Sequence, residues 1–194
     1  MENLTGVELN NALIRIAEEW ARRDGLEAAN WLSSLPAGSV RDAALEGMFF
    51  GWASRDPAAA VDFIKRNPGS DALSATLRYA AYAGWAKTDP QGAVAASLES
   101  SRVYQDPDQF ANTLANWATA DLTASSAWLL ANVRDGDFRA AAVRELATLF
   151  AHQSPDAGLS WIGKLNAGGE RDMAAAQISR IQASISEANH KLEE

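Results

Sequence analysis

The chain contains no cysteine. That removes a disulfide framework, a thiolate nucleophile and sulfur-ligated zinc or iron from consideration, and it suits a cytoplasmic setting as well as an oxidising one. Only two histidines occur, His152 and His190, too few for a histidine-rich metal centre. Basic residues are outnumbered, 17 Lys and Arg against 25 Asp and Glu, for a formal charge of −8. A nonspecific nucleic-acid binder needs a basic face to neutralise phosphates, and this chain has no surplus from which to build one. No apolar run approaches the ~20 residues of a membrane span, and Met1-Glu2-Asn3-Leu4 lacks the basic stretch that opens a secretory leader. The compartment stays open: the cytoplasm is slightly favoured, with the periplasm or secretion as the setting of a processed fragment.

What is present is a folded-protein composition, 47% hydrophobic and 22% charged over 194 residues, the size of one domain or one short repeat array. Tryptophan stands out, with seven copies against three tyrosines and six phenylalanines. Trp20, Trp52, Trp85 and Trp117 are followed by Phe150, in steps of 32, 33, 32 and 33 residues. Fixed spacing of this size marks stacked structural repeats.

The residues around these aromatics repeat with them. The next residue is always alanine: Ala21, Ala53, Ala86, Ala118 and Ala151. Four places on stands Asp24, Asp56, Asp89, Asp121 or Ser154, followed by Gly25, Pro57, Pro90, Leu122 or Pro155. Eight places on the residue is small (Ala28, Ala60, Ala93, Ser125, Gly158), and eleven places on it is aromatic in Trp31, Phe63, Trp128 and Trp161, with Ala96 the exception.

Each position has a physical reading, and together they describe a helical hairpin. Asp or Ser before Pro starts a helix, because the side-chain oxygen caps free N–H groups and proline tolerates the first helical position. Before each aromatic, apolar residues recur at helical spacing, as in Leu13, Ile16, Trp20 and Leu45, Met48, Phe49, Trp52. The small residues let two helix backbones approach closely. Stops fall near Leu35-Pro36, Asn67-Pro68-Gly69, Ser100-Ser101, Asn132 and Asn166. First helices are therefore expected at about 9–23, 40–55, 71–88, 107–120 and 138–152, and second helices at about 25–35, 57–66, 90–100, 122–132 and 155–165. A closing helix over about 170–191 starts with Arg171-Asp-Met, echoing Arg41-Asp-Ala and Arg139-Ala-Ala, and has Gln182 where the aromatic would stand. A polar end copy lets a stack of repeats finish in water. The expected organisation is one all-α domain over 1–194, with repeats at about 9–38, 39–70, 71–103, 104–136 and 137–168 and the closing helix at 169–192.

Over about residues 9–190 the pattern resembles the tetratricopeptide class of helix–turn–helix repeats and its Sel1-like relatives. The tetratricopeptide consensus repeats about every 34 residues around a Trp–Leu–Gly–Tyr first helix, whereas this chain carries Trp-Ala-x-x-Asp-Pro. It is similar in this respect to repeat proteins of verrucomicrobial-type bacteria. The resemblance implies a right-handed α–α superhelix, an α-solenoid of five hairpins with a C-terminal capping helix. It further implies a scaffold that binds proteins or peptides on a concave face lined by first helices.

Candidate chemistry is sparse. Gly168-Gly169 has no flanking Lys-Ser/Thr and so is no phosphate loop. Gly158-Leu-Ser160-Trp-Ile-Gly163 is one residue off a nucleophile elbow, and Gly158 already fills a small-residue position of the repeat. His152 falls at a polar, solvated position and His190 in the tail. The repeated Asp24, Asp56, Asp89 and Asp121 could suggest a cation array, but capping accounts for all four and their spacing spreads them along a ridge. No metal or cofactor is expected. The tryptophans could form a stacking platform, yet their period matches the packing positions, so Trp20, Trp52, Trp85 and Trp117 are read as core, and Trp31, Trp128 and Trp161 with them.

Function then falls to the surface. Phe50, Arg78, Tyr79 and Tyr82 are the candidate partner-binding residues, since aromatics and arginine anchor binding patches. The alternative, that Phe49 and Tyr82 share a core position and Tyr79 only covers the edge of the stack, stays open. The expected role is a non-catalytic interaction scaffold for a protein or peptide with basic or mixed segments, rather than DNA or an anionic membrane, with self-association included. The alternatives are a structural part of a larger envelope or secreted assembly, or a non-catalytic fragment of a larger enzyme. An enzyme on such a scaffold, of the muramidase kind, would need a convergent acid pair, and none is left unassigned.

Overall fold

The computed structural model describes residues 6–67, 69, 71–134 and 136–193; among them every regular element is an α-helix. First helices are α1 (Gly6–Ala21), α3 (Ser39–Ala53), α5 (Asp71–Trp85), α7 (Pro107–Ala120) and α9 (Gly136–Gln153). Their hairpin partners are α2 (Gly25–Ser34), α4 (Pro57–Arg66), α6 (Pro90–Tyr104), α8 (Leu122–Asn132) and α10 (Pro155–Ile162), and α11 (Gly169–Glu193) closes the chain. The N-terminal Met1–Leu4 and Pro68 of the Asn67-Pro68-Gly69 stop lie outside the described residues.

The capping residues start the second helices as expected. The N–H of Glu27 donates to Asp24 at 2.8 Å, Ala59 to Asp56 at 3.0 Å, Gly92 to Asp89 at 2.9 Å and Ala124 to Asp121 at 2.9 Å. Asp106 does the same for α7, accepting from Gln109 N–H at 3.0 Å. Ser154 departs from this pattern: its side chain makes no capping bond, and α10 starts on Pro155 alone. The other departure is the length of α6. Ser100-Ser101, expected as its end, is buried helix interior, and Ser101 accepts from the Gln109 amide at 3.2 Å. The helix closes at Gln105 (φ 53°), where the Asp106 N–H returns to the Ser101 carbonyl at 3.0 Å, a Schellman-type end.

Packing divides the chain into two compact units, Met1–Val94 and Ala95–Glu194, with the division inside α6. The expectation of a single domain over 1–194 did not anticipate this division, which falls in the one repeat with Ala96 in place of the second-helix aromatic. In the first unit α1 packs on α3 and α3 on α5, with α2 against α3 and α4 against α5. In the second α7 packs on α9 and α9 on α11, with α8 against α9 and α10 against α11.

The deepest layer lies three residues before each repeat aromatic, where Ala17, Phe49, Tyr82, Leu114 and Ala147 are all buried. The aromatic itself sits at the rim of that layer. Trp52 is buried, but Trp20, Trp85 and Trp117 keep part of their surface in solvent, so the expectation of full core positions is met by Trp52 alone of the four. Of the second-helix aromatics, Phe63 and Trp161 are buried while Trp31 and Trp128 are half-buried. The two aromatic positions meet within hairpins: ring centroids are 5.3 Å apart for Trp20–Trp31, 6.0 Å for Trp52–Phe63 and 4.9 Å for Phe150–Trp161.

An arginine eleven residues before the aromatic position fastens successive hairpins. Arg41 donates to the Leu35 carbonyl at 3.5 Å, Arg139 to that of Val133, and Arg171 to that of Leu165 at 2.8 Å. Each guanidinium thus donates to a carbonyl that follows the preceding second helix, on the side where the helix dipole favours positive charge.

Candidate functional site

The four residues expected to bind a partner separate into two pairs. Tyr82 is 1% exposed and belongs to the buried layer, its ring stacked on Trp85 with centroids 6.2 Å apart. Arg78 is 9% exposed and occupies a position filled by Leu13, Leu45, Phe110 and Val143 in the other hairpins. Neither presents its side chain to a partner, which corrects the expectation for both: the register that buries Phe49 and Leu45 buries Tyr82 and Arg78.

Phe50 and Tyr79 remain. Phe50 is 39% exposed although its neighbour Phe49 is fully buried, and Tyr79 is half-buried. Phe50 stands two residues before its repeat aromatic and Tyr79 six before the next, so the two occupy positions one helical turn apart on the same side of adjacent helices. α3 and α5 lie as close as backbones allow here: a Cβ on Gly84 would stand 2.0 Å from the Phe50 carbonyl oxygen.

The chemical candidates resolve into structural roles. The four repeated aspartates cap helices, as described above. Ser160 donates to the Asp156 carbonyl at 3.2 Å within α10, and a Cβ on Gly158 would stand 2.9 Å from both Phe150 and Ile178, so this glycine serves close packing. His152 is exposed. Among the described residues no group of three His, Cys, Asp or Glu side chains could hold a metal ion, and no helix is long and apolar enough to cross a membrane.

A second surface had not been singled out from the sequence. An open cleft of 1040 Å³ runs along α1 and the start of α2, lined by Arg15, Ile16, Glu19, Trp20 and Arg23 among others. Ile16 is 55% exposed there, while its register equivalents Met48, Ala81, Thr113, Leu146 and Ile178 are buried.

No family model, curated protein or solved structure matches the chain significantly.

Proposed function

We propose that the chain is a non-catalytic, tetratricopeptide-like interaction scaffold that binds a protein or peptide across the first-helix face carrying Phe50 and Tyr79. The observation that supports this reading is the Phe49-Phe50 pair: the core buries the first fully and leaves the second 39% exposed. A second large ring held outside a satisfied core, on a helix fixed against its neighbour at Gly84, is a rigid apolar anchor of the kind that dominates interfaces. The charge of −8 favours a partner with basic or mixed segments. Arg78 and Tyr82, being buried, are left out of this binding face.

A displayed-peptide library panned on the wild-type chain tests this. Basic, aromatic-containing peptides should be enriched, and they should lose binding to Phe50→Ala/Tyr79→Ala but not to Arg180→Ala, with helicity equal in all three. Equal binding to the double variant rejects this face, and a library that yields no binder rejects peptide recognition in favour of a passive structural role.

A further inference from the structure

Phe50 does not stand alone on its face. Glu46 precedes it by four residues and Gly47 by three, so both lie one helical turn away on the same side of α3. Glu46 is exposed there. Gly47 leaves room for a side chain from the neighbouring helix: a Cβ on it would stand 3.0 Å from Glu18 Oε1, so the half-buried Glu18 of α1 lays its carboxylate against α3 at this turn. The exposed ring therefore has one carboxylate from its own helix and one from α1 on the turn before it.

The repeat itself does not call for these acids. Six places before the aromatic, where Glu46 stands, the other hairpins have Ile14, Tyr79, Ala111 and Arg144. Two places before it, the row of Glu18 and Phe50, the later hairpins have Ala83, Ala115 and Thr148. Nor are the two charges neutralised within the chain. Among the described residues neither Glu18 nor Glu46 enters an ion pair, and the guanidiniums of the first two hairpins are engaged elsewhere: Arg22 and Arg23 on Glu19, Arg41 on Asp42, and Arg55 on the Arg22 carbonyl.

An exposed ring with two uncompensated carboxylates beside it is complementary to a cation on an apolar stem. Arginine fits better than lysine, because its planar guanidinium stacks on an aromatic face, gives up water more readily and carries enough donors to serve both carboxylates. A metal ion fits poorly: the ring would have no role, and among the described residues no third ligand joins the two glutamates.

We propose that Phe50, Glu18 and Glu46 form the seat for an arginine side chain of the partner, a proposal that rests on the Phe50–Tyr79 binding face described above and names what that face recognises.

Nuclear magnetic resonance of the isotope-labelled full chain, titrated with N-acetyl-arginine amide, tests it. The backbone amide signals of Gly47, Phe50 and Gly51 should shift saturably. N-acetyl-citrulline amide, which keeps the shape of arginine without its charge, should bind about tenfold more weakly. Glu18→Gln and Glu46→Gln should each weaken the arginine probe by about threefold, and Phe50→Ala by about as much, at equal helicity. Equal binding of the citrulline probe, shifts that survive Glu18→Gln/Glu46→Gln, or no saturation up to about 50 mM probe would each overturn the arginine seat. A lysine probe that binds as tightly would overturn the choice of arginine. These failures are distinct from failure of the binding face itself, which shows as panned peptides that bind Phe50→Ala/Tyr79→Ala unchanged.

Discussion

Gly84 stands directly against the carbonyl oxygen of Phe50, and a Cβ added at Gly84 would lie 2.0 Å from it. The contact fixes α5 on α3 and thereby fixes the helix from which the exposed Phe50 ring projects. Gly84→Ala must push the two helices apart, and overpacking of this kind should cost about 3 kcal/mol. Gly51 holds the same register position in α3 with nothing within 4 Å of an added Cβ. Gly51→Ala should therefore stabilise by about 0.5–1 kcal/mol through helix propensity alone. Urea titrations followed by circular dichroism compare the two, and a harmless Gly84→Ala would refute the close approach.

In the second unit, Arg139 and Glu170 form a 2.6 Å ion pair, with side chains 5% and 15% exposed. Glu170 also accepts from the Asn166 N–H at 3.2 Å. Removing one partner of a buried pair leaves an uncompensated charge, so Glu170→Ala should cost about 3 kcal/mol. The Arg144–Asp108 pair, 3.7 Å apart and largely exposed, is the control: Asp108→Asn should change stability by only about 0.5 kcal/mol. Equal losses would mean that burial does not set the strength of the first pair.

The hairpins were legible because a small set of residue types recurs where backbone geometry demands them: capping Asp, Pro at the first helical position, Ala or Gly at close contacts. The end of α6 was not legible, because Ser100 and Ser101 resemble a stop until their burial, and the bond from Gln109 of α7 to Ser101, are known. Arg78 and Tyr82 were misplaced for a related reason. A charged or hydroxylated side chain reads as surface, whereas the register of Leu13, Leu45, Phe110 and Val143 already assigned Arg78 to the interior. The exposure of Phe50 was legible, as one aromatic more than the core could use. The α1 face could have been read from Ile16, whose equivalents are apolar or small in every later copy, but that needs the direction in which each row points, which only packing supplies.

Capping provides a direct comparison. Asp121 accepts from the Ala124 N–H at 2.9 Å, whereas Ser154 makes no such bond. Asp121→Ala should lower stability by about 1 kcal/mol, and Ser154→Ala by no more than about 0.3 kcal/mol. Thermal melts of the two variants decide it, and a Ser154→Ala loss as large as that of Asp121→Ala would restore serine to the capping role its position suggests.

The repeat aromatics should divide by burial rather than by identity. Trp52 is buried against Phe49 and Phe63, with ring centroids 5.6 and 6.0 Å away, and a Cβ on Gly25 would stand 2.4 Å from its indole ring. It is thus held from both its own hairpin and the preceding one, and Trp52→Ala should cost about 3–5 kcal/mol, the range for an aromatic removed from a core. Trp85 is only half-buried, and its hairpin has Ala96 where Trp52 has Phe63. Having less surface to lose, Trp85→Ala should cost about half as much. Urea midpoints for the two variants in the same buffer read this directly. If Trp85→Ala proved the more damaging, the rim position assigned to it would be wrong, and the third hairpin would depend on its tryptophan as the second does.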